Sequence, residues 1–400
     1  MTKFDITKLL GLDKFEKVLS RIESLPIALI PERCTKRRSH LFSCRECQRV
    51  CPVEAIDLTA DVKVDFEKCI ACGLCATICP TGVFQLKPSD MRLMGEIKAV
   101  LDSQSGADKS ICFGCIDQGE VPFGVKVNCL GRLNEALLMA SAFFGAQAIF
   151  LLSDDCAECQ ISCGKSEIAN IVKTTESLLE AYSMATKIIY TEEPPMALDV
   201  SPQVELDHIE RRDFLQYAKK NVMAVGSEFF ADKLASFSQE VEEIGFKYIL
   251  PENRKLLLTV LRKIDQTAPP AQSNTSGTPF TNIDINDKCF FCRQCQLFCP
   301  TGALSVKTGD DGVASINLSL ANCTKCGLCE AICPTESISF SDDVDLLKVL
   351  DDEPEELVAL ELRECKVCKQ QFGAKGDVKT CGYCLKRQEK MGDESWVSNK

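Results

Sequence analysis

The apolar positions of this 400-residue chain fall into short runs of two kinds. Some alternate in twos, the spacing of half-buried strands. These are "AIDL" (55–58), "VKVDF" (62–66) and "GVFQL" (82–86), and later "ALSVK" (303–307), "ASINLSL" (314–320) and "SISF" (337–340). With short helical turns between them, each trio predicts a βαββαβ unit with internal pseudo-twofold symmetry. The second kind is longer. "VKVNC" (125–129), "AQAIFLLSD" (146–154) and "KIIYTEE" (187–193) read as strands, separated by helical patterns "LNEALLMASAFFG" (133–145) and "SEIANIVKTTESLLEAYSMA" (166–185). Strand and helix in alternation imply a small parallel α/β unit. Three further helical patterns follow at 208–221, 227–245 and 251–264, the last opened by Pro251. "QTAPPAQSNTSGTP" then has the composition of a flexible linker.

The longest apolar run, Ala136 to Leu152, is interrupted by Ser141, Gly145 and Gln147. A membrane span needs about 20 apolar residues, so this run reads as a buried helix, a turn and a core strand. The N-terminal stretch mixes apolar and charged residues and has no signal-peptide core, so a cytoplasmic location is the expectation. Its net charge of −12 argues against broad nucleic-acid binding.

Composition changes the picture through one residue type: there are 26 cysteines and only 2 histidines. In a reducing compartment disulfides are rare, so metal ligation is the reading. The cysteines fall into four blocks. The clearest is Cys289-x2-Cys292-x2-Cys295-x3-Cys299-Pro300, followed by Cys323-x2-Cys326-x2-Cys329-x3-Cys333-Pro334. This is the bacterial two-cluster ferredoxin spacing, in which the fourth cysteine of each run ligates the other cluster. A tight loop wraps three corners of one cubane, and the cysteine before proline reaches the neighbour. Cys289, Cys292, Cys295 and Cys333 are expected on one [4Fe–4S], and Cys323, Cys326, Cys329 and Cys299 on a second. Units with so little apolar sequence need their clusters for stability.

The first block repeats the layout with a stretched start. Cys69, Cys72, Cys75 and Cys79 form an intact run, and Cys51 completes the Cys69 cluster. The other cluster has Cys44, Cys47 and Cys79 and lacks a cysteine at position 41, which is Leu41. Cys34, beyond a nine-residue insert, "TKRRSHLFS", is the first candidate, because thiolate is the preferred ligand of iron–sulfur clusters. His40 and a three-iron cluster are the alternatives. The insert reads as a loop whose Lys36, Arg37 and Arg38 are either merely solvated or act on the cluster or on an acidic partner.

The middle block, Cys112, Cys115, Cys129, Cys156, Cys159 and Cys163, follows no ferredoxin spacing. Cys129 and Cys156 sit at the carboxyl ends of predicted strands, the ligand edge of an open α/β sheet. Here "CFGC…VNCLGR…GAQAIFLLSDDC" resembles the delta subunit of methyl-viologen-reducing hydrogenase, the iron–sulfur subunit that links a hydrogenase to heterodisulfide reductase. The resemblance covers roughly residues 110–190. It implies a [2Fe–2S] cluster on Cys112, Cys115, Cys129 and one of Cys156, Cys159 or Cys163. The three cysteines of "DDCAECQISCGK" depart from that family's pattern and leave [4Fe–4S] open. "CGKS" (163–166) lacks the leading glycine of a phosphate loop, and no dinucleotide fingerprint follows a strand.

Cys365-x2-Cys368-x12-Cys381-x2-Cys384 closes the series. Paired knuckles of this kind suit a tetrahedral zinc, with a rubredoxin-type iron as the alternative. The expected fold is therefore α+β and multidomain: an N-terminal helix (1–30), a ferredoxin-like 2[4Fe–4S] module (31–90), the small parallel α/β domain (107–195), a helical segment (205–265), a flexible linker (266–282), a second ferredoxin module (283–345) and a zinc-ribbon-like knuckle (357–392). No base, nucleophile or organic-cofactor motif stands out. The expected function is electron transfer as an iron–sulfur subunit of an anaerobic redox complex, with partners of the hydrogenase, formate dehydrogenase or heterodisulfide-reductase type. A reductase acting on a thiol or disulfide at the middle cluster is the second reading. A nucleic-acid regulator, resting on the basic tail alone, is the third.

Overall fold

The computed structural model describes residues 26–115, 121, 123–153, 156, 159–192, 250–265, 269–270, 274–275, 277–309, 312–351, 353–374 and 376–391. The N-terminal helix expected within 1–30, the first two helices of 205–265 and most of the 266–282 linker lie outside them.

The first module runs β1 (Ile27–Leu29), α1 (Thr35–Arg38), α2 (Glu46–Arg49), β2 (Ile56–Asp57), β3 (Lys63–Val64), α3 (Leu74–Ile78) and β4 (Phe84–Leu86). β1 pairs antiparallel with β4, and β2 with β3. The alternation read in the sequence is carried out here. Ile27, Ile56, Val62, Val83 and Phe84 pack inward with the sulfurs of Cys75 and its neighbours. The core is small, as expected of a unit that folds around clusters.

The middle domain consists of α4 (Asp90–Asp102), β5 (Lys109–Cys115), β6 (Gly124–Val127), α5 (Glu135–Phe143), β7 (Ala146–Leu152), α6 (Gly164–Ala181) and β8 (Lys187–Thr191). Its sheet has the order β6-β5-β7-β8, all parallel. β5 escapes the sequence pattern, because "KSICFGC" shows no alternation: both faces of a central strand are covered. α5 is buried nearly all round, from Ala136 to Ala142, so the apolar run 136–152 is a helix and a strand of one core. No helix among the described residues is long and apolar enough to cross a membrane.

α7 (Glu252–Asp265) carries an apolar face of Leu256, Leu257, Val260, Leu261 and Ile264. It packs on α5 and joins the middle domain and second module into one core. The second module follows with β9 (Asn274–Thr275), β10 (Asn282–Ile285), α8 (Gln294–Phe298), β11 (Leu304–Thr308), β12 (Val313–Leu318), α9 (Leu328–Ala331), β13 (Ile338–Ser341), β14 (Val344–Asp345) and α10 (Leu346–Leu350). Part of the expected linker is strand, since β9 pairs with β14.

The C-terminal knuckle is not a separate body. β15 (Glu355–Glu364) pairs with β12 and then with β16 (Gln371–Ala374), so the ferredoxin hairpin and the knuckle share one antiparallel sheet, β11-β12-β15-β16. α11 (Gly382–Met391) closes it.

Candidate cluster sites

Short helices hold each cysteine loop, and glycine or residues of positive φ turn the chain between ligands. Gly73 (φ +88°) and Gly327 (φ +77°) precede α3 and α9, where an L side chain is disfavoured. In the first module, Cys51, Cys69, Cys72 and Cys75 line one cavity of about 20 Å³. Cys34, Cys44, Cys47 and Cys79 line another of about the same volume. The chain therefore brings Cys34 to the position that the ferredoxin spacing leaves open at Leu41. His40 is exposed and does not line that cavity.

The insert is folded rather than a loose loop. It begins as α1, capped by the backbone of Cys34. Lys36 donates to the carbonyl of Leu58, and Arg37 pairs with Asp61 at 2.8 Å. Two of its three cations are thereby engaged within the module rather than held out for a partner.

In the second module, Cys289, Cys292, Cys295 and Cys333 line a third cavity of about 20 Å³. The fourth group shows in the electrostatics: burial, then the thiols of Cys323, Cys326 and Cys299, raise the Cys329 thiol. Burial likewise pushes Cys47, Cys295 and Cys326 up to about 12. Neutral thiols so crowded are poor company for one another as anions, and iron relieves this by replacing protons. Backbone N–H groups already face sulfur, from Ala55 to Cys51 (3.2 Å), Val83 to Cys79 (3.5 Å) and Ser337 to Cys333 (3.3 Å). Four soft donors per group with N–H···S support fit [4Fe–4S] ligation.

The middle domain is built differently. Cys115 ends β5, and Cys129 follows β6. They share a cavity of about 790 Å³ with Asn128, Ser153, Cys156, Cys159 and Thr191, along the carboxyl edge of the sheet. Burial pushes the Cys129 thiol up to about 12, and the Cys115 and Cys159 thiols add to the rise. Cys112 lies apart from this group. Three positions before Cys115 on a strand, it points to the opposite face. It is fully buried, and burial alone sets its thiol at about 12. The set that geometry assembles is thus Cys115, Cys129, Cys156 and Cys159, not the set with Cys112 that the hydrogenase-subunit resemblance implied.

Cys163 is also outside it. Its thiol donates to the carbonyl of Val50 at 3.3 Å, and it packs with Val50, Cys72, Leu74 and Cys129. Gly164 makes room here, since a Cβ on it would lie 2.5 Å from the Cys129 sulfur. Asn128 Nδ2 donates to the carbonyl of Ala71 at 2.8 Å. The middle site and the Cys51–Cys75 cavity are therefore neighbours joined through residues adjacent to ligands. Arg132, of the C-x-G-R element, plays no part in the cavity. It is buried against Asp90 (2.8 Å) and the carbonyl of Pro88, while its stem lies against Gly73 and its carbonyl accepts from Thr77 of the first module at 3.1 Å, which fastens that module to the middle domain. Nothing in its sequence position showed this.

The four knuckle sulfurs lie within 4.8 Å of one another, with Cys368 and Cys381 3.8 Å apart. Tetrahedral zinc with Zn–S bonds of about 2.3 Å needs sulfurs about 3.8 Å apart. Burial opposes ionisation of Cys365, but the N–H groups of Cys368, Cys381 and Val367 outweigh it and hold this thiol below its ordinary value. The donor set fits one metal ion.

Two families match the chain: a 4Fe-4S dicluster domain at residues 288–337 and a 4Fe-4S binding domain at residues 62–85. An uncharacterized ferredoxin of Methanocaldococcus jannaschii is 36% identical over 11% of this chain, a stretch that spans 76% of that ferredoxin. The chain belongs to the ferredoxins. A second uncharacterized ferredoxin of the same organism is 35% identical, over 15% of this chain and 57% of its own length. A subunit of an ion-translocating oxidoreductase complex from Methanosarcina acetivorans is 42% identical over 12% of this chain, which is 18% of that subunit. The chain thus spans about half and a fifth of these last two relatives. It is a ferredoxin-type protein of several [4Fe–4S] clusters.

Proposed function

We propose that the chain is the electron-transfer subunit of an anaerobic redox complex. It carries four cubanes, a further cluster on Cys115, Cys129, Cys156 and Cys159, and a structural zinc on Cys365, Cys368, Cys381 and Cys384. The cubane ligand sets are Cys34, Cys44, Cys47 and Cys79; Cys51, Cys69, Cys72 and Cys75; Cys289, Cys292, Cys295 and Cys333; and Cys299, Cys323, Cys326 and Cys329. The observation that carries this reading is the convergence of sixteen ferredoxin cysteines into groups of four, one of which abuts the middle site through Asn128 and Ala71. When bound, the clusters supply one-electron redox capacity. The protein's own residues shield them, direct N–H groups at their sulfurs and fix their spacing.

The middle cluster, on an open sheet edge, is the port to a partner oxidoreductase. The resemblance of residues 110–190 to the hydrogenase delta subunit favours a hydrogenase, formate dehydrogenase or heterodisulfide-reductase-like partner. The large cavity beside these cysteines favours, as a second reading, reduction of a small thiol or disulfide there. Metal and sulfide analysis of anaerobically purified protein tests the first reading. About sixteen cubane iron are expected, plus about two or four from the middle cluster and about one zinc. Fully loaded protein with fewer than about twelve iron removes the four-cubane assignment. Turnover of a disulfide by the isolated chain replaces the first reading with the second.

A further inference from the structure

The insert between Cys34 and Cys44 ends at a contact with the other ferredoxin module. Phe42, two residues before Cys44, lies against Gly327, the residue after Cys326. A Cβ placed on Gly327 would meet the Phe42 ring at 3.5 Å. At Gly327 no side chain stands between the two loops, and Phe42 is half-buried where they meet.

A second and separate contact closes the same junction. Pro251, just before α7, packs against Gly82, three residues past Cys79, where a built Cβ would lie 3.0 Å from its backbone. Three residues on, and so on the same side of the helix, Arg254 donates to the carbonyl of Cys323. Arg254 is only 6% exposed. Its guanidinium lies over the Phe280 ring at 4.3 Å and also donates to the carbonyl of Pro279 at 3.2 Å. A buried cation is costly unless negative charge faces it; here the sulfur of Cys323 faces it first and the Glu135 carboxyl second. An iron–sulfur cubane with four thiolates is net anionic.

The remaining groups point away from this junction. The Cys51–Cys75 group faces the middle site through Val50, Ala71 and Cys72. The Cys289–Cys333 group faces the knuckle, where Gly382 and Gly373 pack on Phe290 and Phe291.

We propose that electrons cross between the two ferredoxin modules at one point, from the Cys323 cubane to the Cys44 cubane or back, with Phe42 as the packed bridge and Arg254 as the charge that raises the potential of the Cys323 cubane. The clusters then form one series: Cys289, Cys323, Cys44, Cys51 and the middle site, each named by one ligand. In the crossing a single electron moves. One cubane is oxidised, the other is reduced, and no proton or bond changes; a redox partner supplies or removes the electron at the ends. The insert that stretches the first motif is the means by which the modules touch. This inference rests on the cubane assignment of the preceding subsection.

The test uses the full, metal-loaded chain, with iron and sulfide counted first; wild-type protein short of cubanes contradicts the assignment, not the crossing. Redox-poised EPR of Arg254→Met is expected to show one cubane shifted to lower potential and the others unmoved, with Arg254→Lys restoring most of the shift. Rapid-freeze EPR after photoreduction follows equilibration between modules, with Cys326→Ser used to mark the signal of its cubane. Phe42→Ala is expected to slow equilibration several-fold at unchanged potentials and unchanged iron content, and Phe42→Leu to recover much of the rate. Wild-type equilibration in Phe42→Ala overturns the crossing point. So does an Arg254→Met protein in which every cubane shifts alike or none does.

Discussion

The ferredoxin modules and the middle domain hold cysteines in opposite ways. In the modules, closely spaced cysteines wrap small closed cavities, and the one before proline reaches across to the neighbouring group. In the middle domain, single cysteines from separate strands and loops meet at an open sheet edge beside a cavity about forty times larger. With clusters bound, the first arrangement would insulate an electron and the second would expose one, which is the basis for the proposed relay and port.

The sharpest way to break this comparison is Cys129→Ser. Cys129 lies in the port cavity and directly against Cys72 of the relay. Its loss is expected to abolish electron exchange with a native partner and remove the middle cluster's signal, while dithionite still reduces all four cubanes. Exchange at the wild-type rate would show the port to lie elsewhere. Cys34→Ser is next in size and acts within the relay. It is expected to convert one cubane of the first module to a three-iron form after mild oxidation, seen by EPR, while His40→Ala leaves the spectrum unchanged. The reverse pattern would return the ligand to His40.

Removing the zinc proposed for the knuckle, by chelation or Cys381→Ser, is expected to have a smaller and local effect. Because Gly382 and Gly373 pack on Phe290 and Phe291, the Cys289 cubane is expected to become more oxygen-labile, with the first module untouched. Cysteine spacing alone would let residues 365–400 be removed with every cubane intact; a knuckle built on the module's own sheet does not. The smallest effect concerns Cys112. Cys112→Ala is expected to leave iron content unchanged and to cost about 1 kcal/mol of stability. Burial raises this thiol from its ordinary 9.0 to about 12. A raised folded-state value means stability that is complete below pH 9.0 and lost between 9.0 and about 12, as the unfolded chain ionises first. Urea midpoints of the wild type should fall across that window, and the variant should show a shallower fall. Loss of middle-cluster iron in Cys112→Ala would restore the ligand set of the hydrogenase subunit.

Some of this molecule was legible because cysteine spacing over a few residues fixes geometry by itself. A C-x2-C-x2-C loop suits a compact cluster, so the spacing by itself proposed three of the four cysteine groups before any fold was known. At the stretched motif the sequence left Cys34, His40 and a three-iron cluster as alternatives, and the fold lines the cavity of Cys44, Cys47 and Cys79 with Cys34. Local alternation likewise marked the strands of both modules. In the middle domain the resemblance to the hydrogenase subunit implied Cys112 as a ligand, and the fold places it away from the cavity that Cys115 and Cys129 line. C-x2-C looks like a ligand pair, but on a strand the two side chains point to opposite faces. That 109–115 is a strand depends on being covered on both sides, which leaves no periodic trace.

The sequence by itself determined which cysteines group together in the modules, that a parallel α/β unit separates them, and that four thiols in the tail suit one metal ion. Only the tertiary structure decided what those groups face. Phe42 against Gly327, Arg254 at Cys323, Asn128 at Ala71 and the knuckle on Phe290 all join residues far apart in the chain. Such contacts are set by how α7 and the shared sheet pack the modules together. Packing between distant elements depends on the complementarity of whole surfaces, which no local spacing encodes.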